Sequence, residues 1–175
     1  FTDPIAEGPI IQSAHDRALQ ANTSLDMIFS LVEEFRSKDS ETPVILMGYI
    51  NTFLANSKAL ESIHERGTDA VLIVDVPGES RLEDIGIQNK NIASISLISP
   101  TTDNDRIQKI CMSSSGFIYY VTLRGVTGAS NLNEDEIQTN ILNIRNSTNL
   151  PVLAGFGIKT ASDARALSQI SDGVV

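Results

Sequence analysis

Six short, β-rich apolar runs recur along the chain, and their spacing limits the folds open to it. They lie at 44–50, 71–74, 93–99, 117–122, 152–157 and 173–175, with starts 27, 22, 24, 35 and 21 residues apart. The runs are largely continuous in apolar character, which is typical of parallel strands buried on both faces; strands with one wet face would alternate. We therefore expect parallel strands joined by crossover segments.

Helical patterns fill the intervals between these runs. The clearest begins at Thr23, which has capping-box spacing to Asp26, and the residues after it form an apolar stripe. The stripe consists of Leu25, Ile28, Phe29, Val32 and Phe35. Weaker helices are predicted over 57–66 and from about Glu79, Asp103, Glu134 and Thr160. The chain thus reads as one domain, 1–175, of alternating strands and helices.

Two architectures share this alternation, an open doubly wound sheet and a closed eight-stranded barrel, and the periodicity alone does not separate them. The open sheet predicts a glycine-rich phosphate turn after its first strand, and the sequence has no G-x-G-x-x-G or G-x-x-x-x-G-K-[ST] motif. A barrel predicts glycines late in the repeat, as in the GFG at 155–157. We therefore predict an α/β fold, a (β/α)8 TIM barrel of which strands 3 to 8 are present with their intervening helices.

Composition excludes several classes of function. The 175 residues carry a net charge of −9, and no Lys/Arg cluster interrupts it, so nucleic-acid and membrane-surface binding are disfavoured. No apolar run approaches the roughly 20 residues needed to span a bilayer. Cys111 is the only cysteine, which excludes an internal disulfide and a cysteine-cluster metal site, and no metal-ligand spacing occurs. We expect a soluble, cytoplasmic protein without a metal.

Chemistry in a parallel barrel gathers at the carboxyl ends of its strands. Three loops stand there or at the chain start: FTDPIAEGP with two carboxylates, LRGVTGASN with a hydroxyl at Thr127, and AGFGIKT, whose glycines let backbone N–H groups approach an anion. Each also has an ordinary interpretation, as a capped turn, an exposed turn or a close-packed strand end. His15 and His64 fall on predicted helices, away from the strand ends, and are interpreted as surface or packing residues.

Five segments carry a resemblance to a known family. FTDPIAEGPIIQ, LMGYINTF, IVDVP, YYVTLRGVTGA and LAGFGI occur in the order and spacing of the tryptophan synthase alpha chain family, over the whole chain. The resemblance implies a lyase of tryptophan biosynthesis that cleaves indole-3-glycerol phosphate into indole and glyceraldehyde 3-phosphate. It also implies an α2β2 heterotetramer with a beta chain that uses pyridoxal phosphate, and no cofactor in this chain.

The resemblance also assigns roles to residues. Glu7 stands where the family commonly has the Asp that interacts with the indole N–H, and it keeps the charge on an arm one methylene longer. Apolar and aromatic residues would line the indole pocket, glycine-rich loops would close over the substrate and bind its phosphate, and three residues would face the beta chain. The residues of the indole pocket are Tyr49, Leu72, Leu97 and Tyr119. Those of the lid and the phosphate site are Thr127, Gly128, Phe156 and Gly157. Those facing the beta chain are Asp3, Asn51 and Pro77.

The same resemblance implies that further parts of the site lie outside these residues. The family's second catalytic residue, a glutamate on the second strand, would precede Phe1, and a Gly-Ser phosphate loop would follow Val175. Two alternatives stay open. One is another phosphate-binding barrel, such as indole-3-glycerol phosphate synthase or a histidine-pathway isomerase. The other is a non-catalytic barrel that binds and activates a beta chain, which is suggested by the glutamate at position 7, where the family commonly has an aspartate.

Overall fold

The computed structural model describes residues 8–55, 61–122 and 134–175, and these divide into two compact units. The first unit contains the chain up to Val76 together with Leu82–Ile92, and the second contains Pro77–Arg81 and Ala93–Val175. Within the described part of the chain, no helix is both long enough and apolar enough to cross a membrane. The expectation of a single domain stays a prediction.

The first unit consists of helices around a pair of parallel strands. Its elements are α1 (Pro9–Gln20), α2 (Leu25–Arg36), β1 (Ile45–Gly48), α3 (Ile50–Ala55), β2 (Ala70–Ile73) and a 3₁₀ helix (Glu83–Ile85). β1 and β2 pair in parallel with Leu46 opposite Val71. Val71 packs with Phe29 of α2 and Phe53 of α3, and all three are almost completely buried. Burial of these apolar side chains holds the two helices against one face of the strand pair.

The second unit repeats the strand–helix alternation. Its elements are β3 (Ala93–Ile98), α4 (Asn104–Ser113), β4 (Ile118–Val121), α5 (Glu134–Arg145), β5 (Val152–Gly155), α6 (Ala161–Ser168) and β6 (Gly173–Val174). β4 pairs with β3 and with β5, β5 pairs with β6, and every pair is parallel. The strand prediction is thus confirmed in position and direction.

Alternate residues of these strands face opposite sides. Ile98, Tyr120 and Ala154 occupy matching register positions and belong to one core cluster with the inner faces of α4, α5 and α6. Cys111 of α4 is buried in the same cluster, and burial raises the pKa of its thiol. The residues one position earlier, Leu97 and Tyr119, therefore lie on the other face of the strands.

Three predicted helix boundaries are wrong in detail. The N-cap of α2 is Ser24, whose side chain accepts from the N–H of Met27, because the capping hydroxyl must lie directly before the first helical turn. No helix begins at Glu79: its carboxylate pairs with Arg106, and between β2 and β3, where every residue is described, the only helix is the short 3₁₀ turn at Glu83–Ile85. The segment predicted as helix over 57–66 lies partly outside the described residues, and from position 62 it forms turns that contain His64.

At the amino-terminal ends of two strand pairs, an aspartate makes the same set of hydrogen bonds and ion pairs. Asp69, directly before β2, accepts from the backbone N–H of Val44 at 2.7 Å, and Asp172, directly before β6, accepts from that of Val152 at 2.8 Å. Each aspartate also pairs with the last residue of a helix, Arg36 of α2 or Arg145 of α5. A basic residue there also suits the negative end of the helix dipole.

Candidate functional site at the carboxyl ends of the second-unit strands

Leu97 and Tyr119 are cross-strand neighbours on the face of the second unit that the helices do not cover. They are paired in register between β3 and β4, and both are half-buried. The structure thus brings together two of the residues predicted to line an indole pocket. An aliphatic and an aromatic side chain side by side suit a flat apolar ligand, with the tyrosine hydroxyl as a polar group.

Tyr119 leans along β5 toward its carboxyl end. Its ring and hydroxyl lie so close to Gly155 that a Cβ there would overlap the Tyr119 hydroxyl oxygen. Burial raises the pKa of the Tyr119 phenol above its usual value near 10, so the hydroxyl keeps its proton at neutral pH and can donate a hydrogen bond. The sequence predicts a role for the backbone of Gly155, and in the structure the absence of a side chain there also makes room for Tyr119.

The glycine-rich turn that follows β5, here called the 155–157 turn, adopts an unusual backbone conformation. Phe156 and Gly157 both have a φ of +79°, in the region where non-glycine residues are strained. The Phe156 side chain is 49% exposed, so tight packing of its ring does not explain that conformation. Successive backbone N–H groups of a turn at a strand end are donors of the kind that can bind an anion.

Thr122, at the end of the neighbouring strand, holds this turn in place, a contact that no sequence pattern predicts. It directly follows β4, is 7% exposed, and its hydroxyl donates to the carbonyl oxygens of both Gly155, at 3.0 Å, and Phe156. Its backbone N–H also donates to the Gly155 carbonyl at 2.9 Å. Because Thr122 and the turn are more than 30 residues apart, only the parallel pairing of β4 with β5 reveals the contact.

Predicted site residues also lie at strand ends in the first unit. Leu72 is buried in β2, and Tyr49 is buried directly after β1. Asp75 accepts from the backbone N–H of Ile50 at 2.8 Å, which ties the start of α3 to the segment after β2. Asn51, beside that bond, is exposed, as an interface residue would have to be. Pro77, the other described residue predicted to face a beta chain, belongs to the second unit and is also exposed.

Four predicted residues lie outside the described part of the chain. They are Asp3 and Glu7, which precede residue 8, and Thr127 and Gly128, which fall between residues 122 and 134. Their roles as interface residue, catalytic carboxylate and lid stay predictions.

A cavity of about 260 Å³ in the first unit is separate from these residues. It lies between α1, α2 and β1, its wall is mostly apolar, and none of the predicted site residues lines it. His15 contributes to that wall, in keeping with its interpretation as a packing residue. Within residues 8–55, 61–122 and 134–175, no three His, Cys, Asp or Glu side chains are grouped so that they could hold a metal ion.

Parallel strands followed by helices, with an apolar face and a glycine-rich turn toward their carboxyl ends, define the chain as part of a (β/α)8 barrel. Comparison with known proteins makes the assignment specific. The family model for the tryptophan synthase alpha chain matches residues 1–175. The chain belongs to the tryptophan synthase alpha chain family.

Relatives in sequence and in structure agree with this assignment. The chain is 44% identical to the tryptophan synthase alpha chain of Nitrosococcus oceani, over 100% of this chain and 66% of that protein. It superimposes on tryptophan synthase subunit alpha of Legionella pneumophila with a TM-score of 0.85 at 36% identity, covering 99% of this chain and 65% of that one. The superposition on a structure of the tryptophan synthase α2β2 complex of Pyrococcus furiosus has a TM-score of 0.84 at 32% identity, and it covers 100% of this chain and 72% of that one. The chain spans about two thirds of the length of the curated relatives it matches.

Proposed function

We propose that the protein containing this chain is a carbon–carbon lyase that cleaves indole-3-glycerol phosphate into indole and glyceraldehyde 3-phosphate. The observation that carries the proposal is the family match over all 175 residues. The site geometry supports it, because an apolar face with an aromatic hydroxyl lies beside a turn suited to an anion. An indole ring and a phosphate need these two environments within one substrate length.

The proposed reaction is a retro-aldol cleavage. A proton is added to the indole carbon that bears the glycerol chain, a base removes a proton from the adjacent glycerol hydroxyl, and the carbon–carbon bond breaks to give an aldehyde and indole. Positive charge develops on the indole nitrogen when the ring carbon is protonated, and a carboxylate close to that N–H stabilises it. We propose Glu7 for that carboxylate.

One carboxylate does not supply both the acid and the base of this cycle. We propose that the proton transfers at carbon and at the hydroxyl belong to a second carboxylic acid, supplied by a part of the protein outside these 175 residues. Leu72, Leu97, Tyr49 and Tyr119 would line the indole pocket, and Gly128, Phe156 and Gly157 would bind the phosphate. Thr127 would close over the substrate.

We further propose a beta chain as partner, in an α2β2 assembly in the cytoplasm. The solved Pyrococcus furiosus relative is described as an α2β2 complex with mutual activation. Asn51 and Pro77 are exposed, as contacts with a partner require, and Asp3 completes the predicted interface. Pyridoxal phosphate would belong to the beta chain, and this chain would need no cofactor of its own.

Indole release from indole-3-glycerol phosphate by the complete protein tests the proposal. We expect release that increases when a beta chain is added, and a loss of at least about a hundredfold in kcat for Glu7→Ala, as expected for an electrostatic catalytic group. Glu7→Asp should keep measurable activity because the charge is retained. If the unmodified protein releases no indole, the lyase assignment is wrong.

The second candidate function is a non-catalytic subunit that activates a beta chain, and the glutamate at position 7 is the observation that favours it. It predicts that Glu7→Ala leaves indole release unchanged at background level. It also predicts that the beta chain is activated equally by Glu7→Ala and by the unmodified protein. The same set of assays therefore separates the two functions.

A further inference from the structure

We propose that Thr122 is a positioning residue for the substrate phosphate: its hydroxyl holds the 155–157 turn in the conformation that binds the anion. This inference rests on the proposed function and names a residue outside the predicted site. Thr122 is buried and bonds two consecutive carbonyl oxygens of the turn. It therefore acts on the phosphate through the backbone and does not touch the substrate.

The direction of these bonds determines where the turn's N–H groups point. In a planar trans peptide the C=O and N–H bonds point in opposite directions, and no described peptide bond is cis. The Gly155 carbonyl shares its peptide plane with the N–H of Phe156, and the Phe156 carbonyl shares its plane with that of Gly157. Since both carbonyls are directed at Thr122, both N–H groups are directed away from it, and they form two adjacent donors of the kind that binds phosphate.

The turn needs this support because its conformation is strained. A φ near +79° is unfavourable for a non-glycine residue, and with Phe156 49% exposed, burial of its ring compensates for this only in part. The bond from the Thr122 hydroxyl to the Phe156 carbonyl is the contact that ties this residue to β4. Without it, the Phe156–Gly157 peptide is free to rotate and the second donor is lost.

The chain allows the hydroxyl to be removed without breaking the strand pairing. The backbone N–H of Thr122 donates to the Gly155 carbonyl independently of the side chain, at 2.9 Å. Thr122→Val has nearly the same shape as threonine, so it keeps the packing and that backbone bond and releases only the Phe156 carbonyl. Thr122→Ser keeps the hydroxyl and serves as the conservative rescue.

The experiment compares these variants in the complete protein. For Thr122→Val we expect the KM for indole-3-glycerol phosphate to rise roughly tenfold, the equivalent of one charge-assisted hydrogen bond, with kcat within about twofold. The dissociation constant of inorganic phosphate, measured by calorimetry, should rise by a similar factor, whereas that of indole, which has no phosphate, should stay within about twofold. Thr122→Ser should restore the values of the unmodified protein.

Thr68→Val is the matched control, because Thr68 is another fully buried threonine, in the first unit, and its hydroxyl has no partner among the described residues. It should change neither KM nor phosphate affinity. The inference is overturned if Thr122→Val leaves phosphate affinity unchanged, if it weakens indole and phosphate equally, or if Thr122→Ser does not restore binding. Because phosphate binding is measured without turnover, failure of the lyase assignment and failure of this inference are distinguishable.

Discussion

The carboxylate of Asp172 accepts a hydrogen bond from the backbone N–H of Val152 at 2.8 Å. The carboxylate of Asp69 accepts one from the backbone N–H of Val44 at 2.7 Å. In each case the aspartate directly precedes one strand and bonds the chain where its parallel neighbour starts. The same carboxylate pairs with an arginine at the end of a helix. One side chain thus joins three segments that are distant in sequence.

This arrangement predicts a pH dependence of stability. The Val152 N–H and the Arg145 guanidinium lower the pKa of Asp172, so its stabilising contribution is fully present above the unfolded value near 3.9 and is lost as the pH falls through the lower folded value. Asp172→Asn should lower the urea midpoint at pH 7, and the difference from the unmodified protein should shrink below about pH 3.9. Asp16→Asn, at an exposed position on α1, removes the same charge and should leave the urea midpoint at pH 7 nearly unchanged.

Arg36 should be intolerant of lysine. Its guanidinium donates to the carbonyls of Gly67 at 2.8 Å and Thr42 at 2.7 Å while pairing with Asp69, and the side chain is only 17% exposed. A lysine ammonium does not reproduce this planar fork, so Arg36→Lys should lower the free energy of unfolding by about 1–3 kcal/mol. Lys38→Ala, which removes a largely exposed ion pair with Glu34, should cost less than about 0.5 kcal/mol. If Arg36→Lys and Lys38→Ala lower the free energy of unfolding in urea equally, the Arg36 contacts do not stabilise the fold as we predict.

Gly155→Ala should disturb Tyr119. The new Cβ would overlap the phenol, so we expect a loss of about 1–3 kcal/mol of unfolding free energy from overpacking. In a Tyr119→Leu background, which removes the ring, the same change should cost clearly less. A double-mutant cycle by chemical denaturation measures the coupling, and additive losses would show that the two residues do not interact.

Removing the hydroxyl of Thr68 should stabilise the protein. Thr68 is fully buried and its Oγ1 has no hydrogen-bond partner in the described part of the chain, so threonine bears a desolvation cost that valine avoids. We expect Thr68→Val to raise the unfolding free energy by about 1 kcal/mol. Thr68→Ser, which keeps the hydroxyl and loses the methyl, should do the opposite, and a destabilised valine variant would point to a partner for this hydroxyl.

Replacing Phe156 by glycine should give a more stable protein than replacing it by alanine. Its φ of +79° is costly for a residue with a Cβ, so Phe156→Gly should be more stable than Phe156→Ala by roughly 1 kcal/mol. The comparison between the two variants cancels the loss of the exposed ring. Equal thermal midpoints would mean that the turn relaxes to negative φ when the ring is removed.

The sequence patterns predicted the strands well because each apolar run is bounded by polar or turn-forming residues. They also placed the starts of α4, α5 and α6 correctly, at about Asp103, Glu134 and Thr160. They failed between Thr23 and Ser24, since two adjacent hydroxyl residues are both competent caps. They also failed at Glu79, whose ionic partner Arg106 lies 27 residues away.

In the candidate site, too, some features are predictable from the sequence and others are not. Tyr119 and the 155–157 turn are visible as sequence motifs, and the resemblance gives them roles. The contact of Thr122 with Phe156 depends on which strands are neighbours and on their register, and neither is encoded locally. Nor does a run of apolar residues such as 117–122 reveal which of Tyr119 and Tyr120 faces the helices, because both faces are apolar.

The alternation along β3, β4 and β5 has a consequence for how such a protein evolves. Ile98, Tyr120 and Ala154 serve the packed interior, while Leu97, Tyr119 and Leu153 occupy the opposite side one step away along each strand. Under the proposed function, substitutions at the second set would alter the ligand-facing side while the helix packing made by the first set stays in place, so the two sets can vary separately. A single-residue insertion within any of these strands would exchange the sets and abolish both properties at once.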